Sequence, residues 1–500
     1  MAAMPNVLLI TTDQHRFDAL GCMGNRDVHT PHIDRLAAQG VTFDRCYVTN
    51  PVCMPSRASL LTGQFPDANG VRRNGIPVPD VAFGLGRAVR QHGMRTGMFG
   101  KTHFASLRRD YDASYQFPDW RRGDDYYGFT TRAITHDLKD YVSDVPTMTR
   151  PNPTPAAPER AFVLDDYINW MHEHYPEWYR LAVREGLAEG QLPLAPELWS
   201  SELPADLHQT TWISERTMEF IDEQREGPFF AWCSFVDPHH PFNAPRAYRE
   251  RYDPATFAPP LWEEGELTHR SPYHRDRHQQ STAPFKEHWR EYRAQYYAMI
   301  SLIDDQVGRL LRHLDDRGLT ENTLVIFTSD HGEMLGDHGL ARKGLFHYEP
   351  LIHVPLLLRW PDRFMAGSHQ PGIVQTVDIT ATILEAAGVV PQLPYQGISL
   401  VPWCCGERGD APRAYALVTN CGEGPHYDPW PELRTLVTDR WKLHAYVDED
   451  HIEVDDLIED PGELHPLRVQ EHPDLVRQLL GRLVDAGSAA AVWRRQAGRW

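Results

Sequence analysis

The sequence predicts an α/β fold, a mostly parallel sheet flanked by helices, with a small α+β domain at the C-terminal end. Three observations predict it. Four short apolar runs each end in ionisable residues, the pattern of buried strands that deliver side chains to one sheet edge. Helical periodicity separates these runs. After Trp403 the pattern changes to strand-like segments and one further helix.

The first run, Asn6–Thr12, ends at Asp13-Gln14-His15. The second, Arg95–Gly100, leads into Lys101-Thr102-His103, and the third, Phe229–Val236, into Asp237-Pro238-His239-His240. The fourth, Leu324–Phe327, leads into Thr328-Ser329-Asp330-His331-Gly332. Tyr296, Met299, Ile300, Ile303, Val307, Leu310, Leu311 and Leu314 share one face of a predicted helix that stops at Gly318. A second helix, Ile379–Ala387, starts at Asp378 and stops at Gly388. Residues 104–207, rich in Asp, Pro, Tyr and Trp (Tyr126, Tyr127, Trp170, Tyr175, Trp178), are expected to form an insertion at the sheet edge with a few helices. Such excursions commonly carry specificity. The Pro- and His-rich block 256–281 is expected to be a long loop. Strands at Ala414–Thr419, Leu433–Thr438 and Trp441–Val447, with a helix near Asp474–Ala486, complete the prediction: a catalytic domain over 1–403 and a C-terminal subdomain over 404–500.

Composition narrows the function. The 500 residues carry 50 Lys and Arg against 69 Asp and Glu, a formal charge of −19. With 41% apolar and 24% charged residues the chain is ordinary globular protein, which excludes disordered, collagenous and coiled-coil classes. No apolar run approaches the ~20 residues that span a bilayer. The acidic balance argues against nucleic acid, whose partners present basic surfaces. A small anionic substrate stays open, because a local group of Lys, Arg, His and metal inverts the local field. Met1-Ala2-Ala3-Met4-Pro5 lacks a basic leader, so a cytoplasmic location is expected. Seven cysteines, few and odd in number, suggest no disulfide framework. Cys404-Cys405 are too close together to form a zinc pair.

The strongest local signal is Cys53-Met54-Pro55-Ser56-Arg57-Ala58-Ser59-Leu60-Leu61-Thr62-Gly63. Pro55 suits the first turn of a helix and Gly63 its end. Cys53 then sits at a helix N-terminus, where the dipole and free N–H groups favour an anion and acidify a thiol. Arg57 adds a cation one turn along.

This string resembles the sulfatase signature Cys-x-Pro-Ser-Arg followed by Leu-x-Thr-Gly. Asn6–Asp13, Thr30-Pro31-His32-Ile33-Asp34-Arg35-Leu36-Ala37, and Gly339 through Lys343 to Glu349 followed by Val354-Pro355-Leu356 extend the resemblance over most of the chain. It implies the large, mixed, mostly parallel sheet of the alkaline-phosphatase-like superfamily. It also implies hydrolysis of sulfate monoesters by a formylglycine made from Cys53 by a formylglycine-generating enzyme. The hydrated aldehyde attacks sulfur, and the covalent sulfate leaves as the aldehyde re-forms.

By the same resemblance, Asp13, Gln14, Cys53, Asp330 and His331 hold one divalent metal ion. Gln14 and His331 stand where many sulfatases have Asp and Asn, as in the choline-sulfatase-like and phosphonate-monoester-hydrolase-like branches. A nitrogen donor fits Ca²⁺ less cleanly and makes Mn²⁺ plausible. Lys101, His103, His239 and Lys343 match positions around the sulfate, with Arg57 spreading charge, His239 or Lys343 protonating the leaving oxygen, and His103 taking a proton in the release step. The phosphonate branch tends to lack the Lys101–His103 pair, which puts sulfate first. Asn74 resembles an anion-contacting residue of that branch, so phosphonate monoester or phosphodiester hydrolysis is the alternative. At least one of His240, His338 and His347 is expected to line the pocket. The released alcohol and the oligomeric state stay open, and Trp493-Arg494-Arg495 and Trp500 leave room for an interface between copies.

Overall fold

The computed structural model describes residues 4–79, 84–104, 125–136, 165–187, 197–223, 227–281, 283–390, 395–422, 432–447 and 449–497. Nine strands form the main sheet: β1 (Asn6–Thr12), β2 (Val41–Tyr47), β3 (Arg95–Gly100), β4 (Thr131–Ile134), β5 (Phe229–Ser234), β6 (Thr323–Ser329), β7 (His353–Val354), β8 (Leu356–Arg359) and β9 (Ser368–Gln375). Their order is β4-β3-β5-β1-β6-β8-β2-β7, with β9 also paired to β2. The block β4-β3-β5-β1-β6 is parallel, whereas β8 runs antiparallel to both β6 and β2. The sheet is therefore mixed and mostly parallel.

Apolar side chains on both faces explain why the central strands read as unbroken hydrophobic runs. Val7, Leu9, Phe230, Trp232, Leu324 and Ile326 enter one core, and Leu8, Ile10, Ala231, Cys233, Val325 and Phe327 the other. The helix predicted over 296–314 is longer, Ala283–Asp316, and Ile303, Val307, Leu310 and Leu314 pack in the second core.

Register brings the strand ends level. Thr11 of β1 and Gly100 of β3 both pair with Ser234, and Thr12 pairs with Ser329. The residues that follow, Asp13, Lys101 and Asp330, thus emerge side by side.

Two segments differ from expectation. Part of the 104–207 stretch builds the sheet: β4 adds an edge strand to β3, and helices Asp166–His174 and Pro176–Leu187 follow. Residues 105–124, 137–164 and 188–196 of that stretch lie outside the described residues. The expected loop at 256–281 instead contains a helix, Pro272–Ser281. Its polar sequence shows no apolar stripe, so periodicity alone misses it.

The C-terminal domain is an antiparallel sheet of β10 (Ala416–Cys421), β11 (Glu432–Val437), β12 (Trp441–Tyr446) and β13 (His451–Asp456), packed on helix Pro473–Ala497. β13 was not expected, because its charged residues resemble a solvated face. Glu453 and Asp455 are instead buried and paired with buried Arg270 at 2.9 Å each. This sheet grips the segment after Lys343: Asn420 Nδ2 donates to the Gly344 carbonyl at 3.0 Å, and Lys442 Nζ to the His347 carbonyl at 3.4 Å. Lys442 also pairs with Glu349 at 2.6 Å and Glu463 at 2.7 Å. Lys442→Met should therefore leave buried Glu463 and half-buried Glu349 without their cation, a loss of roughly 3–5 kcal/mol. Urea unfolding checks this, and a loss below about 1 kcal/mol would show that the network does not hold the two layers together.

Candidate active site

The helix Cys53–Thr62 begins at Cys53 and ends at Gly63, whose φ of +67° suits glycine. All ten of its residues are buried. Cys53 faces the edge where β1 and β6 end. Its Sγ lies 2.7 Å from Lys343 Nζ, 3.2 Å from His331 Nε2 and 3.7 Å from Asp13 Oδ1. Asn74 stands beside this helix start: its Oδ1 accepts the Met54 N–H at 3.1 Å, so it caps the helix with the same atom.

Potential ligand atoms of Asp13, Cys53, Asp330 and His331 all lie within 4.8 Å of one another. His331 Nδ1 faces the Gly332 carbonyl at 2.8 Å and, since a carbonyl only accepts, carries the proton. Nε2 is thereby turned toward Asp13, Asp330 and Cys53. Gln14, at φ +70°, adds a side-chain carbonyl: its Oε1 is buried with no hydrogen-bond partner. A buried acceptor left empty costs ~1–3 kcal/mol, and a cation would satisfy it. Two carboxylates, an imidazole and an amide oxygen form a donor set that fits one divalent cation and suits Mn²⁺ or Ca²⁺.

Arg57 lies behind these ligands and is fully buried. Nε donates to Asp330 Oδ2 at 2.7 Å, Nη2 to Asp13 Oδ2 at 3.2 Å, and Nη1 to Ser234 Oγ at 2.7 Å and the Lys101 carbonyl at 2.8 Å. The guanidinium braces the two carboxylates.

Lys101 and Lys343 flank the opposite side. Lys101 Nζ is 2.8 Å from Asp13 Oδ2. Lys343 Nζ also lies 3.1 Å from His331 Nε2 and 3.5 Å from His239 Nε2. His103, at φ +50°, follows Lys101, and its Nδ1 is buried without a hydrogen-bond partner. His239 stacks on His240 at 4.0 Å, and His240 Nδ1 meets Gln14 Nε2 at 3.3 Å. The other two candidate histidines are engaged elsewhere. His338 stacks on Tyr348 and bonds Glu266 at 3.1 Å, and His347 bonds the Thr435 hydroxyl at 2.7 Å. Ser234 and Glu333, which bonds Gln14, escaped the sequence reading: Ser234 ends an apolar strand, and Glu333 resembles any surface glutamate.

Charge sets the protonation states. Burial and Asp13 push the Cys53 thiol up, but Lys343, Lys101 and His331 outweigh them and bring it well below its ordinary value. Burial likewise pushes Asp13 up, but Lys101, His239, Arg57 and His331 hold it well below the usual carboxylate range. Asp330, raised by burial and by Asp13 against Arg57, is pushed up to about 6.

The sulfatase family profile matches residues 5–389, and the profile described as N-sulphoglucosamine sulphohydrolase, C-terminal, matches 336–488. An arylsulfatase of Clostridium perfringens is 28% identical over 491 residues, covering 95% of this chain and 93% of that protein. A choline-sulfatase of Rhizobium meliloti is 28% identical and covers 99% of this chain and 90% of its own. Among solved structures, a phosphonate monoester hydrolase of Agrobacterium radiobacter shares the fold, with TM-score 0.78, 24% identity and coverage of 98% and 96% of the two chains.

The raised Asp330 carboxyl gives a pH test. Between the ordinary Asp value of ~3.9 and about 6, the metal-free folded chain holds a proton that the unfolded chain has lost. The contribution of Asp330 to stability then falls as pH rises through that window. A bound cation replaces the proton, so the gain in Tm from saturating Mn²⁺ should be larger at pH 7 than at pH 5. Calorimetry with and without Mn²⁺ measures it, and a gain independent of pH would contradict this account.

Proposed function

We propose, for a chain that belongs to the sulfatase family and is a sulfuric ester hydrolase, that Cys53 is converted to formylglycine, that one Ca²⁺ or Mn²⁺ ion is held by Asp13, Gln14, Asp330 and His331 with the side chain at position 53, and that small sulfate monoesters are preferred over phosphonate monoesters. The observation that carries this is the meeting of Cys53 Sγ, at a buried helix start, with Asp13, Asp330 and His331 in one cluster and with Lys343 at 2.7 Å. Sγ stands where the oxygen of the modified side chain would lie. Cys53 is 1% exposed, so the formylglycine-generating enzyme must reach it before the chain closes. The cation, when bound, polarises the oxygens it touches.

The chain's own groups do the rest. Lys101 and Lys343 supply preorganised positive charge for the non-bridging oxygens. Arg57 acts one layer back by fixing Asp13 and Asp330. His239 Nδ1 faces the His240 carbonyl at 2.6 Å, which places its Nε2 toward Lys343 at 3.5 Å. Lys343 is the donor to the leaving oxygen, with His239 orienting it. His103 is the base of the release step. A cavity lined by His239, His240, Asp237, His208, Glu185 and Tyr167 receives the leaving group.

Peptide mass of active protein should show a form of the Cys53 peptide lighter than the cysteine form, and activity should scale with its fraction. Full activity in wholly unconverted protein would sink the modification.

A sulfate has three non-bridging oxygens, whereas a phosphonate monoester has two and a carbon. A buried donor facing carbon loses ~1–3 kcal/mol. With matched leaving groups, kcat/KM should favour the aryl sulfate over the phenyl phosphonate by at least about tenfold. Lys101→Ala should narrow that ratio, with metal content checked alongside. A higher kcat/KM for the phosphonate would move the assignment to a phosphonate monoester hydrolase.

A further inference from the structure

We infer that Glu333 is a positioning residue that dictates which end of the Gln14 amide faces the metal site. This rests on the proposed ligation by Gln14. Glu333 is fully buried in the stretch after β6. Its Oε2 accepts from Gln14 Nε2 at 2.5 Å. Its Oε1 accepts the Leu335 N–H at 3.0 Å and the Arg342 N–H.

An amide has one accepting and one donating end, of nearly identical shape. Sterics alone do not choose between its two flips. Glu333 Oε1 already accepts two backbone N–H groups and Oε2 is offered as a further acceptor, so the carboxylate admits the flip that turns the Gln14 NH₂ toward it. The second N–H of that group lies toward His240 Nδ1 at 3.3 Å. The opposite end is then carbonyl oxygen, and this is the Oε1 that is buried without a hydrogen-bond partner. With the flip reversed, two N–H donors would face the cation and an oxygen would face the Glu333 carboxylate. The Gln14 backbone is held as well: its N–H donates to Asp330 Oδ1 at 3.2 Å, and its carbonyl accepts from Tyr296 Oη at 2.7 Å. Rotation of the amide is thus the freedom left, and Glu333 removes it.

The same carboxylate reaches the other half of the site. Its Oε1 fixes the backbone at Arg342, next to Lys343. One buried side chain therefore ties the amide ligand to the loop that carries the proton donor.

Glu333→Gln keeps the shape and removes the instruction. A glutamine here must still accept two backbone N–H groups with its oxygen, so its NH₂ faces Gln14 and favours the wrong flip. Mn²⁺ affinity, measured by calorimetric titration of metal-free protein, should fall by roughly 10–100-fold, the usual range for a lost outer partner of a ligand. In a Gln14→Ala background, Glu333→Gln should cost less than about threefold more, because its effect passes through Gln14. The swapped pair Gln14→Glu with Glu333→Gln restores one donor facing one acceptor, and should bring the affinity back to within about threefold of the parent.

Unchanged affinity in Glu333→Gln, or a swapped pair no better than that single variant, would overturn the inference. Should Glu333→Gln fail to fold, the swapped pair decides: tight Mn²⁺ binding supports the role, and loss of binding refutes it. Loss of Mn²⁺ binding in Asp13→Ala and Asp330→Ala tests the metal site itself. Unchanged binding in both would defeat the proposed function, whereas loss in both with no effect of Glu333→Gln defeats this inference alone.

Discussion

Two carboxylates on neighbouring parallel strands, Asp13 and Asp330, are buried side by side where β1 and β6 end, and much of the surrounding chemistry offsets that repulsion. Placing like charges out of water is expensive unless each is paired and hydrogen-bonded. Arg57 bonds to both, at 3.2 and 2.7 Å, and Lys101 takes a second interaction with Asp13. Arg57 reaches them because the helix that starts at Cys53 runs beneath the sheet edge with every residue buried. Cys53 and the carboxylate brace therefore lie four residues apart on one rigid element. Under the proposed function that spacing accounts for Cys and Arg standing together in the motif: one would place the reacting atom, and the other makes the adjacent charge tolerable.

The second constraint comes from the C-terminal sheet. Lys343 sits on a segment between β6 and β7 with little regular structure of its own. Its neighbours are held from outside, Gly344 by Asn420 and His347 by Lys442 and Thr435. The buried ion groups around Lys442 and Arg270 join the two layers through several oppositely charged partners. The segment that carries Lys343 is thus fixed by a neighbouring domain, which holds its charge in the preorganised position that the proposed function requires.

What the sequence revealed follows from the range of each interaction. Runs such as Asn6–Thr12 and Leu324–Phe327 reveal strands because both faces are buried, and the ionisable residues after them mark the edge. The Cys53 helix is legible from Pro55, Gly63 and its motif. The role of Arg57 against Asp13 and Asp330 is not, because it depends on which strands become neighbours. β13 and Arg270 stay hidden for the same reason: Arg270 meets Glu453 across 183 residues, and buried charges look like solvated ones until their partners are known. Gln14 could be nominated by its place after β1, but the direction of its amide is set by Glu333, 319 residues away. The helix at Pro272–Ser281 carries no apolar stripe to announce it.

A chain with formal charge −19 must still attract an anion. Formal charges at the site show how. Asp13, Asp330 and a Cys53 thiolate face Arg57, Lys101 and Lys343, so in the unmodified, metal-free arrangement these cations are matched by internal anions. In that arrangement Lys343 is occupied by the thiolate at 2.7 Å. In the proposed mature form the uncharged formylglycine would remove one negative charge and the divalent cation would add two positive ones. Maturation and metal loading therefore act in the same direction. Each raises the local potential, and conversion also frees Lys343 from an internal partner so that it can meet the substrate's oxygens. A sulfate monoester brings one negative charge, enough to bind without neutralising the site, and the remaining positive field is available for charge that develops on the leaving oxygen. In the proposed mature form both modification and metal would thus bear on affinity for the anion as well as on the chemistry of position 53.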